Sequence, residues 1–250
     1  MKLILSPAKR IVLEDETPPP ASVPRFLEEA CCLWQCLAEL TPPERQKLWN
    51  CSDAIARLND ERLEREHPSR PVAPALAAFS GLAYHYMAPS VLTDPAAGWV
   101  EQHLLILSGL YGVLRPGDGI VPYRLEMGAR LQAAGHKNLY EFWGSRVAEA
   151  VFESGEPVLD LASEEYSRVV TRHVPAGARL VGTVFGELQG DKVIEKGTLC
   201  KMARGEMVRW LAERQAGRVE EAREFDHLNY RFSPEHSSEE RYVFLKQETK

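Results

Sequence analysis

HLLILSGLYGVLRPGDGIVPYRLEMG, residues His103 to Gly128, decides how the rest of the chain is read. Leu104-Leu105-Ile106-Leu107 is a short, unbroken apolar run of the kind that forms a buried strand. Ser108-Gly109-Leu110-Tyr111-Gly112 interrupts it, with two glycines that permit a tight turn and close approach of the backbone to another group. Pro116, Gly117, Gly119 and Pro122 then exclude a regular helix, although the segment carries Arg115, Asp118, Tyr123, Arg124 and Glu126. Polar and aromatic groups on an irregular segment beside a buried strand are where sites usually form.

Working outward, the same strand-then-polar-turn order occurs twice more. Lys2 to Ser6 reads as a strand stopped by Pro7, so Ser6 and Lys9 fall at its C-terminal end, where open α/β sheets present ligands. A solvated loop lysine is the commoner reading of Lys9. Pro157 to Leu161 is a second buried strand, followed by Ala162-Ser163-Glu164-Glu165-Tyr166, a helix start capped by Ser163. Such an N-terminus, with free N–H groups and partial positive charge, suits an anion. Glu164 and Glu165 in its first turn also satisfy the helix dipole by themselves.

Between and beyond these strands the pattern is helical. Helices are expected over 22–40, from Thr41 in a capping box with Glu44, over 52–66, and from Asn138 to about Ser154. In the 52–66 helix Ile55, Leu58 and Leu63 are taken as the inward stripe, with Arg57, Arg62 and Arg65 on a solvated face. Residues 11–24, with Glu14, Asp15, Glu16 and three prolines, read as an acidic surface connection. Tyr84 and Tyr86 could stack on a planar ligand or sit in the core. Residues 179–188 and 192–195 form a hairpin, and a helix runs from Thr198 to about Ala216. Residues 192–218 hold seven basic groups against three acids, with Lys201 and Arg204 on one helix face. An ordinary solvated helix accounts for that excess as well. Residues 242–245 end the pattern as a last strand. Interleaved strands and helices without repeats or composition breaks give one α/β (mixed α+β) domain over residues 1–250, a central mixed sheet surrounded by helices.

Composition removes several function classes. The net charge of −6 argues against a globally nucleic-acid-coating protein, so an anionic partner needs a local patch. No window approaches a membrane span, and the first residues read as a strand and not a signal peptide, so the expected location is cytoplasmic with no membrane partner. Five cysteines without framework spacing read as reduced thiols, including Cys31, Cys32 and Cys36 within a helix. The seven histidines are scattered and no P-loop, dinucleotide fingerprint, HExxH, paired CxxC or GxSxG is present, so no metal and no cofactor is expected. What remains is Lys9, Arg115, Arg124, Lys201 and Arg204 with Tyr111 and Tyr123 at turns, groups that contact phosphates and stack on bases. Asp118, Glu126 and Glu165 are the candidate acids or bases if the same groups serve catalysis on a nucleotide, nucleobase or other small anion.

LILSPAKR, LSGLYGVLRPGDGIVPYRLEMG, LYEFWG, LASEEY and CKMARG, in that order from residue 2 onward, resemble the YaaA family of bacterial peroxide-stress proteins. The resemblance covers nearly the whole chain. It implies a cytosolic protein that helps limit iron-driven oxidative damage and binds DNA through a basic cleft and a helix-hairpin-helix-like element. Carried over, the hairpin is Ser108 to Gly112, with Gly109 and Tyr111, and Arg115 beside it, and the basic cleft draws on Lys9, Arg124, Lys201 and Arg204; the strand ends and turns read above add Ser6, Tyr123 and Ser163 to the anion-binding set. Three positions depart from the family pattern: Asp160 stands for the usual asparagine before LAS, Met202 for a lysine, and Gly109 and Gly112 are three apart instead of two.

Overall fold

The computed structural model describes residues 1–14 and 17–247; Asp15 and Glu16 of the acidic connection lie outside them. Eight strands make one sheet: β1 (Lys2–Leu5), β2 (Leu104–Ser108), β3 (Gly112–Leu114), β4 (Val158–Leu161), β5 (Leu180–Gln189), β6 (Lys192–Ile194), β7 (Tyr230–Phe232) and β8 (Arg241–Lys246). Their spatial order is β7-β8-β5-β4-β1-β2-β3, with β6 folded back on β5. The five inner strands are parallel, and β3, β6 and β7 are antiparallel to their partners.

Parallel strands need long crossovers, which bring elements onto both faces. The burial pattern agrees: every residue of β4 is buried, as are Leu3, Ile4 and Leu5 of β1. The crossovers carry nine of the helices: α1 (Leu27–Glu39), α2 (Pro42–Trp49), α3 (Asp53–Arg65), α4 (Leu82–Met87), α5 (Asp94–His103), α6 (Leu139–Trp143), α7 (Arg146–Phe152), α8 (Glu164–Thr171) and α9 (Gly197–Glu213). Starting at β1, the chain first moves outward through β2 to β3. It then returns to lay β4 on the other side of β1, so the topological switch point lies between β1 and β4.

Several expectations need correction. Ser108–Gly112 is the turn of a β-hairpin, with Ser108 opposite Gly112 in the β2–β3 ladder, so no helix-hairpin-helix forms there. Helices joined by short turns lie elsewhere; α2 and α3, for example, are linked by Asn50-Cys51-Ser52, with Asn50 left-handed at φ 43°. On α3, Ile55 and Leu58 are exposed and Ala56 and Asn59 are buried. Apolar spacing placed the stripe one position off because Asn59 is accepted inside: its side-chain amide donates to Ile55 O at 2.7 Å. The helix expected from Asn138 is broken at Gly144, whose φ of +52° cannot continue it. The capping box at Thr41 forms, with Thr41 N–H donating to Glu44 Oε2 at 2.8 Å.

A candidate anion-binding cleft at the switch point

The turn after β1, the turn after β4 and one side of α9 enclose a cleft of about 330 Å³. Ser6, Pro7, Ala8, Lys9 and Arg10 supply one part of its lining, Ser80 to Tyr84 a second, Ser163, Glu165 and Tyr166 a third, and Lys201 with Arg204 the last. The two strand ends are locked together. Ser163 N–H donates to Ser6 Oγ at 2.8 Å, and Ser6 Oγ–H donates to Ser163 Oγ at 3.1 Å. Ser163 therefore occupies the N-cap position of α8 without capping it. Tyr84 donates to Ser6 O at 3.1 Å, and burial holds the Tyr84 and Tyr166 phenols well above their ordinary range, so both stay neutral. Tyr84 is thus a core aromatic, against Phe79 at 5.5 Å.

The cations differ in freedom. Lys9 is 65% exposed, and its Nζ lies 3.1 Å from Glu126 Oε1. Arg124 Nη2 reaches the same oxygen at 2.9 Å and also donates to Trp49 O. Neither contact to Glu126 has hydrogen-bond geometry, so charge rather than direction holds this carboxylate. Arg10 and Lys201 are exposed, and among the described residues neither has an acid within ion-pair distance. The Arg204 side chain is 12% exposed; its Nη2 is 3.4 Å from Glu195 Oε1, and its Nε is buried with no partner. The glycine of CKMARG has a packing role beside it: a Cβ on Gly205 would overlap the Ala83 carbonyl, so α9 can press against α4 only with glycine there.

Behind Arg204 lies Asp160, 6% exposed, on β4. Burial raises its carboxyl from the ordinary 3.8 to about 6, against the opposing pull of the Ser167 hydroxyl, the Ala162 N–H and the Arg204 charge. Ala162 N–H donates to its Oδ1 at 2.8 Å, and the Ser167 hydroxyl donates to its Oδ2.

The central motif does something other than present a binding loop. Ser108, Tyr111 and Gly112 are buried, as is Tyr123. Ser108 Oγ shares a 2.7 Å hydrogen bond with Tyr123 and accepts the Leu110 and Tyr111 N–H groups. Tyr111 OH accepts Val121 N–H, and Trp143 Nε1 donates to Gly109 O. A Cβ on Gly109 would collide with Leu125 O, and one on Gly112, at φ +68°, with Trp143. The glycines thus admit the protein's own backbone and rings. Burial leaves Tyr111 and Tyr123 no free face on which a base could stack.

Asp118, 1% exposed, closes its own loop by accepting Arg115 N–H at 2.8 Å and the Ser22 hydroxyl at 2.6 Å. Arg115 and Asp118 line a different hollow, with Arg25 and Glu153, which shares no residue with the cleft. Of the residues singled out in the sequence, Ser6, Lys9, Ser163, Glu165, Lys201 and Arg204 come together, and Arg124 and Glu126 join them through Lys9. Glu165 already spends Oε1 on Gly128 N–H at 2.9 Å. Arg10, Ser80, Gly81 and Tyr166 also line the cleft and were not anticipated. Only Arg10 carried a signal, its place beside Lys9. Among the described residues no three His, Cys, Asp or Glu side chains are grouped to hold a metal, and no helix is long and apolar enough to cross a membrane.

Fold and site together define a mostly parallel α/β protein with a cation-lined cleft at its topological switch point. Residues 1–236 match the family model described as peroxide stress protein YaaA. The chain belongs to that family, which supports a role in peroxide stress. Similar proteins include a UPF0246 protein of Lachnoclostridium phytofermentans, 43% identical over 100% of this chain and 98% of that one. Another, from Lactiplantibacillus plantarum, is 42% identical over 99% of this chain and 100% of its own. A third, from Desulfitobacterium hafniense, is 42% identical over 98% of each.

Proposed function

We propose that this chain is a peroxide-stress protein that binds DNA at the mouth of the cleft and so helps limit iron-driven oxidative damage. One observation carries the reading. Lys9, Arg10, Lys201 and Arg204, from ends of the chain nearly two hundred positions apart, converge on one cleft of a molecule with net charge −6. The exposed cations Lys9, Arg10 and Lys201 contact phosphates, while Arg124 stays with Glu126 and holds the rim in shape.

The test is duplex binding by fluorescence anisotropy across a salt series. Three phosphate contacts give a log–log salt slope of roughly −3. Reversing charge at Lys9 and Lys201 together (Lys9→Glu, Lys201→Glu) lowers affinity by about tenfold or more and flattens the slope. Binding that ignores salt, or a reversed-charge variant that binds as before, sinks the proposal.

A second reading, an enzyme acting on a nucleotide, nucleobase or other small anion, is favoured by the position of the cleft at a switch point, where α/β sheets hold small ligands. Glu165 and Glu126 are its candidate acids or bases. Incubation with nucleotides and mass spectrometry of the products decides it, and absence of turnover removes it.

A further inference from the structure

We infer that the interior of the cleft receives a single unpaired nucleotide of the bound DNA. This rests on the DNA reading and specifies what lies beyond the phosphate contacts at the mouth. A cavity of about 330 Å³ is at the small end of ligand pockets and admits no duplex. If the backbone is held at Lys9, Arg10 and Lys201, the part of DNA that can pass inward is one extruded residue. Enzymes and readers that draw a base from the stack use a pocket of this kind.

The lining divides into the two chemistries a nucleotide carries. Pro7, Ala8, Leu82 and Ala83 are apolar and suit the faces of a base. Ser6, Ser163 and Arg204 are polar and suit base edges or a phosphate. Arg204 gives the strongest indication. Its Nε is buried without an acceptor, and its nearest carboxylate oxygen is 3.4 Å from Nη2. Arg204 lines the cleft with only a long contact from Nη2 to Glu195, so its guanidinium keeps donor capacity for a base carbonyl, ring nitrogen or phosphate oxygen entering there. Independently, the locked Ser6–Ser163 pair takes the Ser163 hydroxyl away from capping α8. The first-turn N–H groups of α8, beside cleft residues Ser163 and Glu165, are therefore left without a side-chain cap. Neutral Tyr84 and Tyr166 add no negative charge to oppose an anion.

Three DNA probes test this: a matched duplex, the same duplex carrying one unpaired 2-aminopurine, and free deoxynucleoside monophosphates as competitors. A paired base must be opened before it can enter, so the unpaired duplex should bind at least about tenfold tighter than the matched one. Its 2-aminopurine fluorescence should rise as the base leaves the stack. Gly81→Leu blocks the cleft: Gly81 has extended backbone, and an added Cβ would meet Ala8 Cβ at 3.1 Å. That variant should bind the unpaired and matched duplexes with equal affinity and lose the fluorescence change. Arg204→Gln should cut the preference without filling the space, which covers the case in which Gly81→Leu melts early. Equal binding of the two duplexes with unchanged fluorescence overturns the inference and leaves the DNA reading standing. Direct binding of free monophosphates, read by calorimetry, without any duplex binding overturns both and favours a small anion. Failure of every ligand to bind overturns both as well.

Discussion

Asp160→Asn should stabilise this protein at neutral pH, although it removes a charged side chain beside an arginine. The Asp160 carboxyl is 6% exposed and its pKa is raised by burial from 3.8 to about 6. The folded state therefore holds this proton more tightly than the unfolded chain. Between these two values the folded protein binds more protons, so stability falls as pH rises through the window, and above about pH 6 the full cost is present. At 1.36 kcal/mol per unit, the shift corresponds to about 3 kcal/mol. Asparagine keeps the oxygen that accepts Ala162 N–H, and its amide can donate to the Ser167 hydroxyl, which now donates to the carboxylate. The loss is the attraction to Arg204, already included as an opposing effect in the net shift. In a chain of this size the gain amounts to about 6 °C or more in Tm. The assay is thermal melting of both proteins from pH 4 to pH 8. The melting temperatures should converge at the acid end and part as pH rises, with asparagine higher. Parallel curves, or a lower asparagine curve at pH 8, would show that Arg204 compensates the buried charge and refute the reasoning.

Three further outcomes follow from the packing. Gly109→Ala drives a methyl into Leu125 O at the turn joining β2 and β3, and should lower urea-unfolding stability by on the order of 3 kcal/mol. Asp60→Ala strands Arg45, which is 7% exposed and holds Asp60 Oδ1 at 2.5 Å; the expected loss is about 3–5 kcal/mol, read by the same titration. With a thiol reagent in native buffer, exposed Cys32 should react first and Cys200 last. Burial pushes the Cys200 thiol up to about 11, and its Sγ–H donates to Phe185 O, so rapid labelling of Cys200 would contradict the packing around β5.

The parts of the fold legible in the sequence are those in which local pattern and tertiary position agree. β1, β2 and β4 are apolar runs because they are largely buried on both faces; Pro7 and Gly109 break the chain soon after β1 and β2, and β4 gives way to a helix start at Ser163. The cleft was half legible for the same reason: Ser6, Lys9 and Ser163 are at strand ends, and the switch point between β1 and β4 brings those ends together. The order of strands was not legible. Nothing local to Arg241–Lys246 says that β8 pairs in parallel with β5, or that Tyr230–Phe232 pairs with β8.

Glycine misled for a physical reason. The same absence of a side chain that lets a phosphate approach a loop lets Leu125 O approach Gly109 and Trp143 approach Gly112, and the sequence is silent on which neighbour arrives. The charges can be argued further, because ion pairs have to be accounted for across the whole surface. Arg25, Arg168, Arg179 and Arg209 are each matched by a glutamate within 4 Å, which cancels them as sites for an anion. Arg10 and Lys201 are unmatched among the described residues, and both line the cleft. The excess of acids therefore does not erase the local positive potential. At the cleft it leaves Arg10 and Lys201 unpaired beside two strand ends, the uncapped start of α8 and a half-satisfied Arg204.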